Sequence, residues 1–119
     1  MREDPFAQHC RELLSPLGAV RVRRMFGGHG FDIDGLFVAL ILDEQLYLKT
    51  CAETEPAFET AGGQPFRYQR AGKEMRLGFW TPPAEALDAP DAMRPWAQRA
   101  LQAALAARAP RKPRMPRRG

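Results

Sequence analysis

The stretch Arg23–Leu48, RRMFGGHGFDIDGLFVALILDEQLYL, decides how this chain folds. It reads as three strands joined by tight turns and entered through the break Met25-Phe26-Gly27-Gly28. From His29 to Asp34, Phe31 and Ile33 alternate with Asp32 and Asp34, the period-two pattern of a half-buried strand. Asp34-Gly35 is a hairpin signal, because a type I′ turn needs positive φ at both central residues. Leu36–Leu42 is apolar throughout, which predicts a central strand covered on both faces. Asp43-Glu44-Gln45 turns the chain into Leu46-Tyr47-Leu48-Lys49, again alternating. Sequential strands with short turns make an antiparallel meander.

Upstream, Asp4-Pro5 marks a helix start, with an acceptor for free first-turn amides and a proline where no donor is needed. Phe6, Cys10, Leu13, Leu14 and Leu17 recur at helical spacing up to Pro16-Leu17-Gly18. Val20 and Val22 then alternate with Arg21 and Arg23 in a further half-buried strand. Downstream, Thr54-Glu55-Pro56 opens a short helix that stops at Gly62-Gly63. Residues 66–70 and 74–80 form a hairpin around Ala71-Gly72-Lys73, and Ala84–Asp88 suits one helical turn. The last helix begins at Asp91 or Arg94. Proline at the first helical position favours a loose turn over 91–94 and a regular helix from Pro95, with Trp96, Ala97, Ala100, Leu101, Ala104 and Leu105 as its buried stripe. The fold class is therefore α+β: an antiparallel sheet (meander plus hairpin) packed with N-terminal, middle and C-terminal helices.

The 119 residues suit one domain with a working core. No apolar run approaches the roughly 20 residues that a membrane span needs, and residues 1–5 carry no leader-like apolar segment. A cytoplasmic protein is the default, with Cys10 and Cys51 as thiols in a reducing compartment. The net charge of +4 divides unevenly. Residues 110–119 hold five basic residues, Arg111, Lys112, Arg114, Arg117 and Arg118, and no acid. Setting these aside leaves thirteen basic residues against fourteen acidic ones, so the body at 1–108 is nearly neutral. The Pro/Arg segment at 109–119 reads as a disordered tail able to neutralise phosphates without reading bases.

No constellation of catalytic residues emerges. Gly27-Gly28-His29-Gly30 lacks the Gly-Lys-Ser/Thr ending of a phosphate loop and opens a strand, not a helix. His29 and His9 offer no converging ligand set for a metal, and the carboxylates Asp32, Asp34, Asp43 and Glu44 fit solvated faces and turns. Neither a cofactor nor a metal is expected. The candidate partner-binding surface is Arg23, Arg24, Met25, Phe26, Gly27, Gly28 and His29, where charge and apolar side chains sit beside a flexible glycine pair. A packing role for Met25 and Phe26 competes with that reading.

The segments Arg24-Met25-Phe26-Gly27-Gly28-His29-Gly30, Phe37-Val38-Ala39-Leu40-Ile41, Leu46-Tyr47-Leu48-Lys49, Phe66-Arg67-Tyr68 and the Trp96-Ala97 helix together resemble the N-terminal domain of the TfoX/Sxy competence regulators. The resemblance covers about residues 6–108. It implies an α+β domain without enzymatic activity. It further implies protein contact in bacterial transcription control, where full-length regulators act with the cyclic-AMP receptor protein. Those regulators continue into a helical second domain, whereas here the first domain is followed by the basic tail. The expectations are a regulatory or adaptor domain or, alternatively, a nucleic-acid-associated protein binding through the tail. Pairing of two copies along a sheet edge stays open.

Overall fold

The computed structural model describes residues 4–25 and 27–108, without the side chains of 68–70, 73–77 and 108. Phe26 and the basic tail lie outside the described residues. The elements run α1 (Pro5–Leu14), β1 (Val20–Met25), β2 (Gly28–Ile33), β3 (Leu36–Leu42), β4 (Gln45–Lys49), α2 (Glu55–Thr60), β5 (Pro65–Arg70), β6 (Lys73–Trp80) and α3 (Pro90–Arg108), with 3-10 turns at Ser15–Leu17 and Ala84–Asp88. The strands form a single antiparallel sheet in the order β1-β2-β3-β4-β6-β5, so the expected α+β class, meander and hairpin are all present.

Local chemistry sets these boundaries. Asp4 caps α1, its Oδ1 accepting from the Phe6 amide at 3.0 Å. Asp34 serves two elements. It starts the β2–β3 turn with φ of 52° beside Gly35 at 85°, and its Oδ1 accepts from the Ala19 amide at 3.0 Å, fixing the entry to β1. Asp43 and Glu44, at 52° and 60°, form the next hairpin turn with no glycine at all. Ala71 and Gly72 repeat the geometry between β5 and β6. Two consecutive left-handed residues match the right-handed strand twist, which is why these three turns use them.

The apolar strand β3 carries a bulge. Phe31 pairs with Ala39 but Asp32 pairs with Phe37, which leaves Val38 as the extra residue. Val38, Ala39 and Ile41 therefore join one core cluster with Phe31, Ile33, Leu46, Leu48 and Trp80. α1 contributes Ala7, Cys10, Leu13 and Leu14, and α3 contributes Met93, Ala97, Ala100 and Ala104. α2 seats Phe58 edge-on against Trp96, with ring centroids 5.0 Å apart.

All of this lies on one side of the sheet. The cross-strand registers place Arg21, Arg23, Met25, Asp32, Phe37, Leu40, Tyr47, Lys49 and Phe79 on the other side. β3 is thus covered by helices on one face only, not by elements on both as its composition suggests. Leu40 is nonetheless 4% exposed, because its neighbours' side chains close over it.

Two expectations for α3 are corrected. The helix starts at Pro90, not Pro95, and accommodates Pro95 internally. Pro90 itself occupies the first position, and the Met93 amide donates to the Ala89 carbonyl at 3.0 Å. Fully burying Met93 stabilises the added turn by roughly 1.5–3 kcal/mol, enough to offset much of the proline penalty of about 3 kcal/mol. Leu105 is 56% exposed, outside the buried stripe, which instead runs through Met93, Ala97, Ala100, Ala103 and Ala104. No helix among the described residues is long and apolar enough to cross a membrane.

Two substitutions test the local geometry. Glu44→Gly relieves a left-handed residue that costs roughly 1–2 kcal/mol and adds back about 0.5–1 kcal/mol of chain entropy. A stabilisation of about 0.5–1 kcal/mol in urea unfolding is expected. Gly28→Ala should destabilise by about 1–3 kcal/mol in the same measurement, because a Cβ there runs into the Ile41 carbonyl, which belongs to the backbone and cannot swing away.

Candidate functional site

The β1–β2 hairpin carries the sequence-predicted partner surface, and the structure separates its members. Arg23 and Met25 stand on the helix-free face; Arg24 and His29 face each other on the helix side. Met25 is half-buried and lies over Gly30 beside Phe37, so the missing Cβ at Gly30 is the space that its thioether fills. Gly27 is exposed at φ 78° with open space around it, whereas Gly28 is pressed against β3. The hairpin therefore joins a close-packed half to an open loop.

Arg23 is the most constrained member. Its Nε and Nη2 donate to Asp32 Oδ2 and Oδ1 at 3.1 and 3.0 Å, a bidentate pair. The arginine side chain remains 39% exposed, so the pair is worth only about 1 kcal/mol. The guanidinium also sits 5.3 Å from the Phe37 ring centroid. Phe37 in turn packs against Phe79 at 5.5 Å, and Lys49 lies 5.0 Å above Phe79. The result is a row of cation, ring, ring and cation across the helix-free face. Tyr47 packs edge-on to Phe66 further along, at 4.9 Å. Burial, then the nearby Asp43 carboxylate, raises the Tyr47 hydroxyl pKa above its ordinary value. Sequence reading did not include Arg21, Phe37, Lys49 or Phe79 in the surface. The period-two spacing of Arg21 with Arg23 was the available signal for the first of these.

Arg21 and Arg24 differ from Arg23. Both are exposed, and neither has a carboxylate in ion-pair range among the described residues. β1 is one of the sheet's two edges, paired with β2 alone. The hairpin thus presents two guanidinium groups without a carboxylate partner among the described residues, along an edge strand.

The other reactive side chains are taken up by the fold. Cys10 is fully buried in α1, and that burial, with Asp4 adding a smaller effect, pushes its thiol up to about 12. Cys51, half-buried, stands beside the Thr54 hydroxyl, which accepts from the Cys51 amide at 3.0 Å. His9 Nε2–H donates to the Leu87 carbonyl at 2.8 Å, tying α1 to the turn before α3. His29 Nδ1 is buried and unpartnered among the described residues. No group of three or more His, Cys, Asp or Glu converges to hold a metal among them. A cleft of about 270 Å³ opens between the start of β3 and the end of α3, lined by Leu36, Phe37, Lys49, Ala104 and Ala107. Its one charged group is Lys49, and nothing in it is placed for bond-making chemistry. The tail residues Arg111, Lys112, Arg114, Arg117 and Arg118, and Phe26 of the hairpin, fall outside the described residues.

Comparison with known proteins agrees with this architecture. The family model of the TfoX N-terminal domain matches residues 12–104. Among curated proteins, Protein Sxy of Escherichia coli (strain K12) is 24% identical over 70 residues, covering 59% of this chain. The alignment takes in 34% of Sxy, so the chain spans about a third of the length of the curated relative it matches. The match over 12–104 includes every strand of the sheet, the C-terminal end of α1 and most of α3, and on that basis the chain belongs to the TfoX N-terminal domain family.

Proposed function

We propose that this chain is a non-enzymatic regulatory domain that works by protein contact in competence-type transcription control. Membership of the TfoX N-terminal domain family carries the reading. The contact surface is the β1–β2 hairpin, from Arg23 to His29. Its exposed Arg24 and open Gly27 loop lie beside half-buried apolar side chains, a combination in which a charged rim surrounds an apolar anchor. The partner class follows from the family resemblance: RNA polymerase or the cyclic-AMP receptor protein.

The test is surface-immobilised RNA polymerase, and separately cyclic-AMP receptor protein with its nucleotide, probed with the full chain and with Arg24→Glu. The reading expects saturable binding to one of the two, weakened about tenfold by the charge reversal, which is roughly one strong charged contact. Absence of binding to both contradicts it.

A second reading rests on charge segregation in the sequence. Five basic residues and no acid stand in 110–119, so the tail suits phosphate backbones. Changing all five to glutamine should abolish duplex-DNA binding in a salt titration. DNA binding that survives the change rules out the tail as its source.

A further inference from the structure

β1 is unfinished as a strand. It pairs with β2 only, and no backbone hydrogen bond ties Val20–Met25 to any other described segment. Every second N–H and C=O along it therefore points outward with no partner on this chain among the described residues. An edge in this state accepts another extended strand, and its side chains decide which one.

The side chains of β1 sort cleanly by face. Val20 and Val22 lie on the helix side, where they are half-buried and extend the core's apolar layer to the rim of the sheet. Arg21 and Arg23 lie on the helix-free side, and Arg24 lies on the helix side with the valines but is exposed. Arg23 already holds Asp32, whereas Arg21 and Arg24 have no acidic partner among the described residues. An incoming strand of matching chemistry would place apolar side chains beside Val20 and Val22 and acidic ones on the face of Arg21 and Arg23, with Arg24 adding positive charge at the loop end.

A second copy of the chain fits poorly. Two β1 strands paired antiparallel about Val22 set Arg21 opposite Arg23 twice, and paired about Arg23 they set Arg23 opposite its own copy, at cross-strand separations of about 5 Å where like charges are destabilising. A single nucleic-acid strand fits poorly too, since such ligands stack on exposed aromatic platforms and β1 carries no ring. We propose that the β1 edge takes up an extended protein segment with acidic and apolar residues at alternating positions, added to the sheet as a further strand. The proposal rests on the protein-contact reading above and specifies the chemistry of the partner.

The experiment uses the full chain and a fluorescein-labelled peptide of alternating glutamate and valine, followed by fluorescence anisotropy. Three comparisons accompany it: the peptide N-methylated at every second residue, the peptide with lysine for glutamate, and the protein variants Arg21→Glu/Arg24→Glu and Arg21→Gln/Arg24→Gln. The proposal expects saturable binding of the Glu-Val peptide. N-methylation and either double variant should weaken it by about tenfold or more, and the lysine peptide should not bind. The N-methyl comparison leaves the protein untouched, so it holds even where a variant folds badly. Lack of binding by the Glu-Val peptide overturns the proposal. Equal binding of the N-methylated peptide, or binding unchanged in both variants, overturns it as well, because the charge attraction then lies elsewhere. Loss of the peptide result alongside Arg24-dependent binding to RNA polymerase or the receptor protein would remove the edge proposal and leave the protein-contact reading standing.

Discussion

Among the described residues the sheet has helices on one side only, and the rest of the structure answers to that constraint. α1 and α3 cover Phe31, Ile33, Ala39, Ile41, Leu46 and Leu48 in the way expected of a two-layer domain. The opposite face has no second layer among the described residues, yet Leu40 and Phe79 are 4% and 6% exposed. They are closed over by side chains of the sheet itself. Arg23 spreads across Phe37, Lys49 across Phe79, and Met25 fills the space over Gly30. Long basic side chains suit this task, because their stems cover apolar surface while their charges stay in water. Basic residues on this face are thus structural covering first, and their availability to a partner depends on what else holds them.

That distinction separates the arginines of β1. Arg23 is committed to Asp32 and Phe37, and Arg21 and Arg24 are not committed to anything described. The free cations therefore sit along an edge where the backbone is free as well. A charged edge strand also resists unwanted pairing between copies. The two roles are compatible, since a row of arginines that repels another β1 is the same row that admits an acidic strand. Specificity of this kind comes from what the edge rejects as much as from what it attracts.

Much of this architecture was legible in the sequence because particular residues left little choice. Asp34-Gly35 announces a type I′ turn, Asp4-Pro5 a helix start, and the Val-Arg alternation of β1 a half-buried strand. The bulge at Val38 was not legible. Every residue of Leu36–Leu42 is apolar, so no polar position marks where the alternation slips by one. The same uniformity hid the one-sided cover of β3. In α3, the rule for proline at a first helical position pointed to Pro95, while a second proline five residues earlier and the burial of Met93 set the true start. Leu105 shows the limit of helical periodicity, since one residue of angular drift carries it out of the core. At the hairpin, Arg23–His29 reads as one segment along the chain, but strand pleating divides it between two faces. Sequence adjacency alone does not report that division. Nor did it reveal the Arg23–Asp32 pair, although alternating arginines on one strand and alternating aspartates on the next were the cue for it.

Amide hydrogen exchange of the full chain, read residue by residue by NMR, tests the central claim most directly. A sheet closed by its own side chains with an open edge at β1 predicts slow exchange throughout the central run of β3, and alternating slow and fast amides along Val20–Met25. Uniform protection along β1 would contradict the account, since the edge would then already be occupied. Fast exchange across β3 would contradict it equally, because the helix-free face would not be closed.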